Sequence, residues 1–225
     1  QASQFFIFLA TQQTFAMGDD GRIGFTRQEM YSETLAGTAK YEADFHLFLV
    51  WGKAATWPEK PPEECPEDSL PQKLGAALKG LKKQLPNGLK WNLIEAASGD
   101  KEGDVLIFPA YKRMNVSTEA GMQGLVSFLK AGGTGQGDIE ELGDGFAFVC
   151  CHKARDERCA HCGPRLMDAI VDNQPLSGGL QVRACSHVGG HKYAGCAIIY
   201  SGPGTRDDGH WYGYLTPANV KGVLE

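Results

Sequence analysis

Six of the seven cysteines in this 225-residue chain fall between Cys150 and Cys196, with histidines threaded among them. No other feature narrows the choice of fold as much. Thiols so crowded must be bridged, buried as small apolar groups, or gathered at a metal. A secreted disulfide framework favours an even number of cysteines spread through the chain. An odd, clustered set mixed with His reads as metal ligation in a reducing compartment. Three segments carry the pattern: Cys150-Cys151-His152-Lys153-Ala154-Arg155-Asp156-Glu157-Arg158-Cys159, then Ala160-His161-Cys162, and later His187-Val188-Gly189-Gly190-His191.

The pair His187 and His191 has the spacing of a zinc-binding helix, but Gly189 and Gly190 argue against a helix there. Glycines instead allow a tight turn that aims both imidazoles at one ion. With Cys150 and Cys159 upstream, the candidate ligand set is Cys150, Cys159, His187 and His191. Two Cys and two His suit tetrahedral zinc or an iron–sulfur cluster of mixed ligation. Cys151 and Cys162 are extra thiols beside the pattern and leave the sulfur ligands open. Cys159 and Cys162 also form a CxxC, which fits a dithiol redox pair or half a zinc site. Cys151, Cys185 and Cys196 read as buried small residues, and Cys65 as a solvent-near bystander in a loop. Asp156 is expected to pair with a neighbouring Arg and fix the ligand loop, or to bond a cluster histidine. His46, in an apolar strand, reads as structural.

The spacing of apolar residues places these segments on an α/β frame. Residues 1–40 read as an irregular N-terminal arm lying across the first domain. Residues 45–51 form an apolar strand. Residues 69–85 read as a helix with Leu70, Leu74, Leu78, Leu81 and Leu85 on one face. Strands follow at 90–96 and 104–109, then a helix over 117–130 with Ser117 as N-cap and Gly132-Gly133 as its stop. Residues 133–145 read as a Gly-rich acidic linker. The order then restarts: a strand at 146–151, a helix beginning near Cys159 or Cys162, strands at 180–185 and 196–200, a short strand or turn at 211–215, and a final helix after Thr216-Pro217. Both halves thus read β-α-β-β-α, two tandem thioredoxin-like halves, each a mixed β-sheet flanked by helices. Residues 41–132 would be a degenerate thioredoxin-like domain without ligands, and 146–225 the domain that carries the ligands.

The segment Cys150–Cys159 followed by His187–His191 closely resembles the sucrase/ferredoxin-like family, whose pattern is C-x-H-x-x-R-D-x-R-C and then H-x-G-G-H. It is fulfilled here by Cys150, His152, Arg155, Asp156, Arg158 and Cys159, then His187, Gly189, Gly190 and His191. Weaker matches lie at Gly24-Phe25, Gln28-Glu29-Met30-Tyr31, Leu35-Ala36-Gly37-Thr38 and Trp211-Tyr212-Gly213-Tyr214-Leu215-Thr216-Pro217. The resemblance implies a thioredoxin-like ferredoxin with a [2Fe–2S] cluster held by Cys150, Cys159, His187 and His191. Two thiolates and two neutral imidazoles would leave the oxidised cluster neutral, with a potential nearer the Rieske range of about −150 to +300 mV.

From this follow the functional expectations: a [2Fe–2S] electron-transfer protein rather than a catalyst, serving a redox partner protein or a larger protein complex. The alternative is a structural or accessory subunit in which the cluster, or a zinc, holds the fold. A net charge of −5 argues against nucleic-acid partners. The apolar run at residues 5–10 is too short for a membrane span. Gln1 in place of Met fits a processed or trimmed start. An intracellular reducing compartment is expected, with cytosol, mitochondrial matrix and chloroplast stroma all open.

Overall fold

A computed structural model describes residues 20–32, 39–40, 43–135, 137–174, 179–205 and 209–224. The run at 5–10 and the motif match at 35–38 lie outside the described residues. Ten strands join into a mixed sheet in the order β1-β10-β9-β7-β8-β3-β2-β4-β5-β6. In the first half, β2 (Phe45–Val50) leads through α3 (Leu70–Leu81) to β3 (Leu89–Ile94), which pairs parallel with it. β4 (Asp104–Phe108) pairs antiparallel with β2, and β5 (Lys112–Asn115) with β4, before α4 (Glu119–Lys130). The second half repeats this. β7 (Phe146–Cys150), α5 (Glu157–Asp172), β8 (Gln181–Cys185), β9 (Ala197–Tyr200), β10 (His210–Tyr212) and α6 (Val220–Leu224) follow in the same order with the same pairings. Each half is therefore β-α-β-β-β-α, one strand more than the residue pattern indicated. The missing strand in the first half is β5, Lys-Arg-Met-Asn. It is short and mostly charged, and it carries no apolar alternation to betray it. The likeness to a thioredoxin-like core is one of strand order. The short β6 (Glu140–Glu141), inside the Gly-rich stretch 133–145, pairs antiparallel with β5.

The two halves meet where β3 runs antiparallel to β8, at the single register pair Ile94–Cys185. In a flat sheet β2 and β7 would lie about 14 Å apart, three strand spacings. Yet Phe48 of β2 stacks on Phe148 of β7 with ring centroids 3.5 Å apart, and Phe108 of β4 lies 4.2 Å from Tyr200 of β9. The sheet is thus folded over at the β3–β8 join, and the two halves face one another through an aromatic layer. Strand alternation sorts the side chains. Phe48, Val50, Phe146, Phe148 and Cys150 enter this inner layer. Leu47, Leu49, Ala147, Val149 and Cys151 face the helices.

Local chemistry sets the helix ends. In α3, Leu74, Leu78 and Leu81 are buried, and Leu81 is the last helical residue. The helix stops short of residue 85 because Pro86 follows, and the residue before a proline is pushed out of helical backbone. The α4 N-cap is Thr118, one residue later than expected: its hydroxyl accepts from Gly121 N–H (3.1 Å). Gly132 and Gly133, both at positive φ, end the helix, with Gly133 N–H donating to Phe128 O.

The N-terminal segment corrects the expectation of an arm lying across the first half. α1 (Asp20–Ile23) packs on α5, and Cys162 Sγ donates to Ile23 O (3.5 Å). Buried Arg27 donates to the carbonyl of Ala194, just before α2 (Glu29–Ser32). β1 (Ala39–Lys40) pairs with β10. All of these contacts are with the second half. Cys65 is also corrected: it is buried, not solvent-near, and burial raises its thiol to about 11.

Candidate metal centre

Cys150 is the last residue of β7 and faces the inner layer. The following loop returns into α5, whose N-cap is Asp156. The Asp156 carboxylate accepts from Arg158 N–H (2.9 Å) and from the Arg158 guanidinium (3.0 and 2.9 Å). This is the loop-fixing pair expected of the Arg-Asp-x-Arg segment, and it sets the start of α5 two residues before Cys159. Further along α5, a Cβ on Gly163 would stand 2.5 Å from both Cys150 O and Cys151 Sγ. Only glycine lets the helix lie that close to the end of β7.

The third donor arrives from the β8–β9 turn. Gly189 and Gly190 both adopt positive φ (89° and 60°), the backbone freedom their sequence promised. Cys150 Sγ, Cys159 Sγ and a ring nitrogen of His187 lie within 4.8 Å of one another, with both cysteines buried and His187 half-buried. Cys150 Sγ and His187 Nδ1 are 3.8 Å apart. His191 begins a 3-10 turn (His191–Tyr193); its side chain lies outside the described residues. Three of the four expected ligands are therefore brought together.

The extra thiols point elsewhere. Cys151 alternates to the helix side, 3.7 Å from Met167 Sδ. Cys162 also faces the outer cluster, whereas Cys159 faces the inner one. Cys185 and Cys196 are buried beside the site, and Cys196 Sγ donates to Tyr193 O (3.1 Å). Burial pushes the thiols of Cys151, Cys162, Cys185 and Cys196 upward, so they remain neutral. Cys150 differs. Hydrogen bonding from Cys159 holds its thiol well below the ordinary range despite burial, with His187 adding to the effect. Cys159 is pushed up by that same bond and by burial. A buried sulfur pair with one proton between them, and an imidazole beside it, is a donor set ready for a thiophilic cation. The donor chemistry fits zinc or an iron–sulfur group.

His152 ties the two ligand loops together. Its Nε2–H donates to Pro58 O (2.8 Å), which leaves Nδ1 free to accept from His187 N–H (3.2 Å). Burial lowers its pKa and keeps it neutral, as that pairing requires. A surface cleft of about 270 Å³ lined by Glu59, Lys60, Trp91, His152, Arg155 and His187 opens beside the site. Pattern reasoning missed Asn92 and Ser186, buried residues that bond around His187. The available signal was a lone amide between Trp91 and Leu93 in an otherwise apolar strand. Among the described residues, no helix is long and apolar enough to cross a membrane.

Three curated relatives set the context. The chain is similar to altered inheritance of mitochondria protein 32 of Candida glabrata, 34% identical over 36% of this chain and 28% of the relative. The protein of the same name from Meyerozyma guilliermondii is 30% identical over 38% of this chain and 30% of the relative. Actin patches distal protein 1 of Saccharomyces cerevisiae is 32% identical over 36% and 28%. The alignments thus span less than a third of the length of these relatives. No solved structure matches at a significant level. These findings correct the expectation of a [2Fe–2S] electron-transfer protein: the relatives are named for mitochondrial inheritance and actin patches, and none of the names describes an electron carrier. The physical reason is general. Ligand spacing fixes what a site can coordinate, not the use to which the bound group is put. The sucrase/ferredoxin-like family profile matches residues 35–225, most of the sequence, and with its cysteines and histidine gathered as described this chain belongs to the sucrase/ferredoxin-like family.

Proposed function

We propose that this chain is a metal-centre protein that acts in the upkeep and inheritance of mitochondria. Cys150, Cys159, His187 and His191 hold the inorganic group. The convergence of two buried sulfurs and one imidazole within 4.8 Å, from three separate segments, is the observation that carries this reading. The family's ferredoxin-like description favours a [2Fe–2S] cluster as that group; bound there, it would supply a site whose charge two sulfurs and two imidazoles balance. His152 and the Asp156–Arg158 pair keep the ligand loops in place. The mitochondrial assignment rests on the names of the relatives. The half-buried His187, beside the cleft, is where a partner protein would meet the centre.

The test is purification under anaerobic conditions followed by metal and sulfide analysis. Iron and acid-labile sulfide in equal amounts, lost together in Cys150→Ala and His187→Ala, are expected. Stoichiometric zinc without sulfide would replace the cluster by a single ion. Absence of any bound metal, with both variants indistinguishable from the parent protein, would remove the centre. Loss of normal mitochondrial distribution in cells carrying Cys150→Ala is the expected cellular outcome; normal distribution would detach the centre from that role.

A further inference from the structure

The backbone of His187 is held on both sides. Its N–H donates to His152 Nδ1, and its carbonyl accepts from Asn92 Nδ2 (3.0 Å). Asn92 belongs to β3, in the half that contributes no ligand. Its Nδ2 also reaches Ser186 Oγ (3.1 Å) and Ser186 O (3.3 Å). With only acceptors on that side, the amide has one sensible orientation, and Oδ1 must face His46. His46 Nε2–H donates to it at 2.8 Å, leaving His46 Nδ1 to accept from the Tyr200 hydroxyl at 3.2 Å. Burial holds His46 neutral, at about 3, so this arrangement is not disturbed near neutral pH. Ser186 Oγ accepts from Leu93 N–H (2.9 Å) as well. Asn92, His46 and Ser186 are all buried.

We propose that Asn92, oriented by His46, is a positioning residue for the metal centre, through which the ligand-free half clamps His187 at its distance from Cys150 and Cys159. This rests on the reading of those three residues as a metal site. The need for a clamp is local. Gly189 and Gly190 give the turn its shape but also its freedom, so the ring of His187 keeps its place only if residues 186 and 187 are pinned from outside the turn. An unpinned imidazole costs affinity because the binding energy must then order the loop. Partners of metal ligands behave in this way, their loss costing about 10- to 100-fold in affinity.

The experiment titrates cobalt(II) alone into the reduced, metal-free 225-residue chain and follows the sulfur-to-cobalt and ligand-field absorption bands. Asn92→Asp keeps an acceptor for His46 but removes the amide donors. His46→Phe leaves the ligands and Asn92 in place, fits the aromatic layer, and removes the group that orients the amide. Both variants are expected to bind cobalt about 10-fold or more weakly, with displaced ligand-field bands. The unfolding midpoint of metal-free His46→Phe is expected to remain close to that of the parent. Variants that bind with unchanged affinity and bands overturn the proposal. So does weakened binding with unchanged bands that merely follows a lowered unfolding midpoint, since that is a structural role only. If Asn92→Asp does not fold, His46→Phe alone decides between these outcomes. A parent protein with no sulfur-to-cobalt band at all removes the centre itself, and this inference with it.

Discussion

The two halves place different chemistry at the same backbone position. Val50 ends β2 and lies opposite Ile94 of β3; Cys150 ends β7 and lies opposite Cys185 of β8. Because Ile94 pairs with Cys185 across the join, one row runs Val50, Ile94, Cys185, Cys150. On one side of the join the row is hydrocarbon, and on the other it is sulfur. The turns beyond these strands differ in kind too. Between β8 and β9 the turn presents His187. Between β3 and β4 it presents Asp100, whose buried carboxylate accepts from Ala97 N–H (2.8 Å) and pairs with Arg113 (3.1 Å) and with Arg183 of the other half (3.3 Å). One half closes its turn with an ion pair, and the other offers donors to a cation. A shared backbone scaffold does not imply a shared site.

The largest effect that would sharpen this contrast is expected from the row itself. Cys150→Ala should reduce bound metal by 100-fold or more, because a thiolate ligand is lost outright. Val50→Ala, its counterpart, should leave the metal in place and cost about 1–3 kcal/mol of stability. Metal analysis and denaturant unfolding of the two variants check the pair. Equal metal loss in both would mean that the halves share the site.

The aromatic layer tests whether the halves are one cooperative body. Phe148→Ala should cost about 3–5 kcal/mol. In a double-mutant cycle with Phe48→Ala, the stacked pair should show a coupling of about 0.5–1.5 kcal/mol. Additive losses, or two separate unfolding transitions, would break the folded-over architecture. Asp100→Ala should cost of a similar order, about 3–5 kcal/mol, because it leaves Arg113 and Arg183 in the interior without their shared counter-charge. Metal content should be unaffected, which separates the two turns.

Acid should act through His46. Its folded-state pKa is held at about 3 by burial, against 6.5 when unfolded. Above pH 6.5 both states are neutral and the full stability is present. As the pH falls below 6.5, the unfolded chain takes up a proton that the folded one refuses, and stability is lost progressively down to about pH 3. Between pH 7.5 and 4.5 the loss should be about 2–3 kcal/mol. Comparison with His46→Phe, which lacks that loss, isolates it from the carboxylates.

Much of this was legible in the chain. The apolar runs at residues 45–51 and 146–151 marked the two central strands, and the Leu spacing of α3 marked its buried face, because burial imposes periods of 2 and 3.6 on the residues it takes. The donor set was legible because few other functions explain Cys and His at those spacings. The strand β5 was not legible, since an exposed, charged strand gains its stability from its neighbour rather than from its own pattern. Nor was the α4 cap, where Ser117 and Thr118 are chemically alike and geometry alone chose between them.

The sequence by itself determined which side chains could serve as ligands, the order of elements in each half, and the positive-φ turn that only glycines permit. Tertiary structure alone decided which sulfurs face inward. Cys150 and Cys151 are neighbours of identical chemistry, and strand alternation sends one to the donor group and the other against Met167. It alone decided that β3 meets β8, that the sheet folds over on Phe48 and Phe148, and that Asn92 of the ligand-free half reaches His187. Such contacts join residues about a hundred positions apart, and no local pattern records them, because the pairing energy resides in the assembled interface.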